Sequence, residues 1–409
     1  MKQRKTYALK GTKAAAAVAA ALFAIGAAHA SEVTYTQIGT SINAAGTDAV
    51  VSYTDQTDTA AVGSLAPVEA GSDTDAATGI TLTLNSLTVT NTVSAASSGI
   101  SPYGISSANS LTGTSTGSTT GGVHLAVAGD VNVTTVGDSL VTGSNNNIDG
   151  TIGGNLTVRS TEGGAGTTDR YVYRGVDLTL SGGTVSITAD KGYGIETNAA
   201  SAIVQIAGAG TTTVTSSSTF AIRADSGIVN LYGTGEDHDG GTVTAESLQS
   251  AAAAIMSDSD GTVTIDAGSV TVKDTAASSA AIEVTGHGLV SLKANDASGT
   301  GVQVLNNSDS PTIYASDEGS VVIRADGAPI QVINQSGGQV ILSDNADPST
   351  GVTINGDLQA SSVQVVGNVT ASNDSRVAIH ESGAGSYLKA NKITASDSWV
   401  YLVLTGDAA

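Results

Sequence analysis

A chain of 409 residues with 50 Gly, 5 Pro, no Cys and a net charge of −21 excludes several classes of protein at once. Such acidity repels nucleic acid and anionic membrane surfaces, and the absence of cysteine removes any disulfide framework. Only 3% of the residues are aromatic and 13% charged, against about 25% charged in an ordinary domain, so a thick globular core is disfavoured and a thin one of Val, Ile, Leu and Ala is favoured.

Residues 1–30 have the form of a secretory signal peptide. Five cations (Lys2, Arg4, Lys5, Lys10, Lys13) precede an uncharged, Ala-rich stretch from Ala14 to Ala28, and Ala28-His29-Ala30 places small residues at both recognition positions. The expected cleavage lies between Ala30 and Ser31. The apolar stretch is too short to anchor as a span, and no other transmembrane helix is expected. Removing the leader leaves 11 cations against 37 acids, a net of −26.

Residues 31–75 alternate weakly around Val50-Val51-Ser52-Tyr53 and are expected to be an N-terminal cap or a mobile segment, since an open sheet end needs covering. Residues 76–409 form the remaining domain. Alternation becomes clear at Ile80, Leu82, Leu84, Leu87 and Val89. It continues at Val123–Val127, Val131–Val133, Ile152–Val158, Val176–Leu180 and Val185–Ile187, between Gly, Asn, Asp and Ser turns. No stretch after Ala30 has helical periodicity.

From Gly192 to Leu292 one short phrase recurs. Ile195, Ile222, Ile255 and Ile282 return at intervals of about 30 residues, the middle interval being the longest. Each precedes an apolar pair: Val204/Ile206, Val229/Leu231, Val263/Ile265, Val290/Leu292. A spacing of two within each pair puts both side chains on one face of a strand, leaving Thr, Asn, Ser or Gln on the other. Tyr103-Gly104-Ile105 echoes Tyr193-Gly194-Ile195, and the pairs continue from Val302/Val304 to Val377/Ile379. A repeating unit of this kind, with loops absorbing the variable length, predicts an all-β fold, a single right-handed parallel β-helix. With roughly 20–25 residues per turn it would be a rod of about 70–90 Å.

The last strand, Trp399 to Leu404, is the most hydrophobic of the mature chain. It is expected either to cap the final turn or to associate with another strand, self-association included.

Three groups of residues invite a chemical reading. Gly137-Asp138-Ser139-Leu140 matches the nucleophile block of a lipase/esterase family. That chemistry needs an Asp-x-x-His, and none of His29, His124, His238, His287 and His380 has Asp three positions before it. A tight turn between Val133/Val136 and Val141 accounts for the same residues, so no catalytic residues are expected. Glu236-Asp237-His238-Asp239-Gly240-Gly241 is oxygen-rich but lacks the alternate acids of a calcium loop; Asp258-Ser259-Asp260-Gly261 comes closer, in a single copy, and is equally a tight turn, so solvated turns with no cofactor are the expectation and calcium is the alternative. Arg170-Tyr171-Val172-Tyr173-Arg174 is the one aromatic and basic cluster. Arg170, Tyr171, Tyr173 and Arg174 suit contact with an anionic glycan or partner, or a cover of Arg stems over rings along one edge.

Signal peptide, Gly/Thr/Val-rich repeats, no cysteine and an acidic surface together resemble the passenger region of a Gram-negative autotransporter (type V secretion), of the pertactin or diffuse-adherence adhesin kind. Ser396-Asp397-Ser398-Trp399-Val400-Tyr401-Leu402 followed by Thr405-Gly406-Asp407 resembles the junction late in such passengers. The resemblance covers residues 31–409 and implies an extracellular β-helix used for adhesion or display. Host-surface or matrix molecules, or glycans, are the implied partners. Such proteins end in an outer-membrane β-barrel with aromatic girdles, which the 12 aromatics of the mature chain do not supply, so a passenger separated from its barrel is expected. The alternatives are a β-helical carbohydrate-active enzyme (lyase or hydrolase) and an inactive passenger fragment. Three or more acids and a base converging in one groove would mark the enzyme.

Overall fold

The computed structural model describes residues 31–54, 66–70, 79–93, 103–107, 122–142, 147–161, 176–198, 200, 202–248, 252–275, 279–296, 298–307, 313–315, 319–325, 330–334, 339–340, 351–357, 362–371, 376–382, 387–395 and 399–405. Among them every regular element is a strand and every pairing is parallel. The chain is a parallel β-helix.

One coil shows how the sequence produces it. Ile203–Ala207 runs along a first face, Thr211–Ser216 along a second and Ile222–Ala224 along a short third face; Ile228–Tyr232 then returns to the first. Consecutive coils pair face by face: Val204 with Val229, Val214 with Ala245, Ile222 with Ile255. Alternation along each strand sends one side chain inward and the next outward. Thus Thr262–Ala267 and Ser269–Asp274 bury Val263, Ile265, Val270 and Val272 while Thr264 and Thr271 stay half-buried outside.

Identical positions of successive coils stack into files. On the first face Val204, Val229, Val263, Val290 and Val321 are register partners in sequence. On the third, Ile195, Ile222, Ile255, Ile282 and Ile313 do the same, and all five are buried. Each coil therefore completes the core of its neighbours, as expected of a solenoid. Partners in the third-face file stand about 30 residues apart, a longer coil than the sequence predicted, because loops between faces carry the extra length.

Residues 31–54 already belong to the stack. Ser31–Tyr35 pairs with Thr47–Val51, and Ile42–Tyr53 pairs with Ile80–Asn91 across a register shift. The stretch expected as one strand at Ile152–Val158 is instead two strands, Ile148–Ile152 and Leu156–Ser160, on different faces. A glycine corner divides them. A Cβ on Gly153 would collide with the Ala128 carbonyl oxygen, so only glycine lets that corner sit on the one beneath it.

At the end of the second-face strands a file that is polar at every position but Ala189 replaces the aliphatic ones. Asn91, Thr135, Ser160, Ala189, Ser216, Ser247, Asp274 and Asn306 are register partners in succession. Their side chains satisfy the corner leading to the third face: Asn91 Nδ2 donates to the Tyr103 carbonyl (2.7 Å), Ser216 Oγ to that of Gly192 (2.8 Å) and Ser247 Oγ to that of Ala252 (3.2 Å). Irregular backbone at a corner cannot close a ladder, so buried hydroxyl and amide groups take its place.

Candidate functional site on the third face

Third-face strands are three residues long, so a single outward position follows each buried isoleucine. These outward positions, Glu196, Arg223, Met256, Glu283 and Tyr314, are register partners on five successive coils. At adjacent rungs, side chains lie about 4.8 Å apart, close enough for an acid and a guanidinium to pair. Arg223 Nη1 donates to Glu196 Oε1 at 3.0 Å and Nη2 to Asp258 Oδ2 at 3.4 Å. The guanidinium also lies over the Tyr193 ring, 5.6 Å from its centroid, and Tyr193 stacks on Phe220 with centroids 6.0 Å apart.

Three coils meet here. Glu196 comes from the first, Arg223 and Asp225 from the second, Asp258 and Ser259 from the third. Ser259 holds a left-handed backbone at φ 51°, one of two non-glycine cases among the described residues with His238 at 53°. Its hydroxyl donates to Asp225 Oδ1 at 3.2 Å. The side chains of Glu196, Asp258 and Arg223 are 5%, 15% and 25% exposed, so their charges are only partly screened. Burial raises the Asp258 carboxyl to about 6, assisted by the hydrogen bond and charge of Asp225 and opposed by Arg223. Burial of Arg223 disfavours its charge, yet Glu196, Tyr193 and Asp258 together hold the guanidinium above its ordinary value. Asp138, beyond Glu196, is raised to about 7, first by burial and then by the Glu196 charge.

The three acids expected of an enzyme groove therefore do converge, around a cation. Glu196 and Asp258 both accept from Arg223, and Asp225 joins the cluster through the Ser259 hydroxyl. Arg223 stays protonated and cannot serve as a base. The arrangement works as an ion-paired staple across coils.

The sequence-marked positions fall elsewhere. Ser139 is buried, sharing a hydrogen bond with Thr135 Oγ1 (2.8 Å) and donating to the Arg159 carbonyl (3.3 Å); no histidine is among its partners in the described residues. Gly137 to Leu140 forms the corner that opens the third-face strand Leu140–Thr142. In the loop from Glu236 to Gly241, His238 stacks on Tyr232 with centroids 4.6 Å apart. Asn295 Nδ2 donates to the carbonyls of Asp237 (2.8 Å) and His238 (3.3 Å), taking up oxygens a cation would use. Asp258-Ser259-Asp260-Gly261 is a turn closed by Gly261 N donating to Asp258 O at 2.8 Å, and its Asp258 belongs to the staple. No group of three or more His, Asp or Glu among the described residues is disposed as a metal-ligand set. Arg170, Tyr171, Tyr173 and Arg174 lie outside the described residues, as does Ala30; Ser31 opens the first described strand. Glu196 and Arg223 went unmarked in the sequence, although the residue following each repeated isoleucine was a usable signal for the outward file.

The fold and this cluster define a parallel β-solenoid carrying a charged staple on its narrow face. No family model, curated protein or solved structure matches the chain.

Proposed function

We propose that the chain is an exported, cell-surface passenger of the autotransporter kind, acting as a non-enzymatic adhesin or display stalk. The observation that carries this reading is the stack of parallel strands paired coil to coil between Ser31 and Thr405, with a buried core shared from Ile38 to Ile323. A stack of this kind is stiff along its axis and presents polar side chains laterally, where many weak contacts add through avidity. The signal-like segment 1–30 and the acidic, cysteine-free composition support export. The partners that suit it are host-surface or matrix molecules, or glycans.

A carbohydrate-active enzyme is the second reading, favoured by the raised carboxyls of Asp138 and Asp258 and weakened by the engagement of Glu196 and Asp258 with Arg223. Expression of the full sequence in a Gram-negative host decides between them. The expected outcome is an exported protein beginning at Ser31 that binds immobilised matrix proteins or glycans and leaves them intact. Release of reducing or unsaturated sugar ends with turnover would establish the enzyme instead, and retention in the cytoplasm would remove the surface role.

A further inference from the structure

Among the described residues the third face consists of two sheets rather than one. Val68–Glu69, Ile105–Ser107 and Leu140–Thr142 form the first, and Ile195–Thr197 to Ile313–Ala315 the second. The other two faces run on through the break: Ile148–Ile152, Val176–Leu180 and Ile203–Ala207 pair in succession, as do Val131–Thr135, Leu156–Ser160 and Val185–Ala189. Leu140 and Ile195 therefore stand two coil rises apart, about 9.6 Å, and a slot one strand wide lies between their strands. Behind it is a cavity of about 30 Å³ walled by Leu140, Val158, Val176, Ile187, Ile195 and Val204, with no polar side chain among its described walls. An aliphatic hollow of that size stays dry and takes a hydrocarbon group. The sequence of the intervening coil does not supply one. Leu140 precedes Ile148 by the step at which Ile255 precedes Val263, and the same step before Val176 reaches Thr168, flanked by Thr167 and Asp169.

The polar groups around the slot specify the rest of its ligand. Thr142 and Thr197 close the two flanking strands; they are 1% and 0% exposed, and neither hydroxyl has a hydrogen-bond partner among the described residues. A hydroxyl at that level of an inserted strand would answer them, as Thr pairs do across strands. Asp138 and Glu196 are buried acids on the two sides of the slot. Glu196 accepts from Arg223 on its far side at 3.0 Å. No described cation bonds Asp138, whose carboxyl is raised to about 7 by burial and then by the Glu196 charge. The chain itself shows what the wall of Ile195–Thr197 accepts: from the opposite side, Ile222 lies on Ile195 and Arg223 on Glu196. We propose that the slot is a strand-addition site for an extended segment of another protein, bearing Ile, Leu or Val, then Arg or Lys, then Ser or Thr. The aliphatic side chain fills the cavity, the cation lies beside Glu196 and Asp138, and the hydroxyl meets Thr142 and Thr197. The backbone of the segment joins the two sheets into one ladder, and its positive charge suits a chain of net charge −21.

A capped peptide Thr-Phe-Ala-Ile-Arg-Thr, which copies residues 219–223 and ends in Thr, tests this on the purified full-length protein. Fluorescence anisotropy of the labelled peptide is expected to show saturable one-to-one binding. Replacing its Ile by Ser, or its Arg by Glu, is expected to weaken binding roughly tenfold or more. In the proposed register the peptide Phe shares a file with Asp138 and Tyr193, just as Phe220 stacks on Tyr193. A benzophenone in its place is expected to cross-link to the corner of Asp138 as well as to that of Tyr193. Val176→Phe, which fills the hollow from within, is expected to abolish binding; where that variant does not fold, the peptide variants and the cross-links decide. No saturable binding (the result if the chain itself fills the slot), equal binding of the Ser and Glu peptides, or cross-links that never reach the Asp138 corner would overturn the site.

Discussion

Ile222 and Ile255 are register partners although they stand farther apart along the chain than the partners Ile195 and Ile222, and all three occupy one buried file. The difference is taken up mainly between the first and second faces: the coil of Ile203 crosses by Gly208–Gly210, the next by Gly233–Gly241. The loop of Glu236 and His238 is thus an insertion outside the stack.

Replacing residues 233–241 by Gly-Ala-Gly, the crossing used one coil earlier, is expected to preserve the fold. The loop gives up the Tyr232–His238 stack and the Asn295 hydrogen bonds, a loss of about 1 kcal/mol or less for exposed contacts that water replaces. Urea unfolding checks this; a collapse in stability or a change of the m-value would show that the loop is part of the register.

The third-face file should be intolerant of truncation. Ile255→Ala opens a cavity between coils that cannot close, costing about 2–5 kcal/mol, while Met256→Ala, one residue on and facing outward, is expected to cost under about 1 kcal/mol. Thermal and urea unfolding of the pair measures the contrast.

Gly150 is fixed by its backbone. It sits at φ 135° in the file of Leu125 and Leu178, and a Cβ there would run into the Leu125 carbonyl oxygen. Gly150→Ala is expected to destabilise by about 3 kcal/mol or more, combining the strained region with the clash. Gly46, with nothing within 4 Å of its added Cβ, is the control, and Gly46→Ala is expected to change stability by less than about 1 kcal/mol. Equal effects on the unfolding midpoint would refute the account.

Ser216 holds the corner to the third face. Its hydroxyl donates to Gly192 O (2.8 Å) and accepts from Thr219 N (2.9 Å). Ser216→Ala leaves both backbone groups without that partner and is expected to cost about 1–3 kcal/mol, whereas Ser216→Thr keeps the hydroxyl and recovers part of the loss. Chemical denaturation of the two variants separates hydrogen bonding from volume.

Stability should rise as pH falls through neutrality. Asp138, raised to about 7 from an ordinary 3.8, binds its proton more tightly folded than unfolded. Between those values the folded state holds more protons, so acidification stabilises it, and the penalty is fully present above pH 7. Asp48 and Asp296, held low by hydrogen bonds to Ser86 and Ser298, lose their contributions only below the ordinary Asp range and do not oppose the effect. Urea midpoints are expected to be higher at pH 5 than at pH 8 by an amount equivalent to on the order of 2 kcal/mol, and Asp138→Asn is expected to flatten the profile.

Much of this architecture is legible in the amino-acid sequence. Val263/Ile265 and Val290/Leu292 alternate with polar residues, and strand geometry alone places them inside, because the side-chain period is two whatever the partner. The isoleucine repeat likewise implied stacking, since a short apolar stripe has nowhere else to be buried. The corner at Gly153–Asn155 was not legible: Ile152–Val158 has an apolar spacing that fits one strand as well as two, and only the coil beneath decides.

The amino-acid sequence by itself determined that the chain forms short strands with one apolar face, repeats them, and lacks disulfides, because those properties depend on neighbours a few positions apart. Tertiary structure alone decided that Glu196, Arg223 and Asp258, each on a different coil, share one set of hydrogen bonds. Loops of unequal length hide that register from the linear order, and only the common rise of about 4.8 Å per coil brings it back.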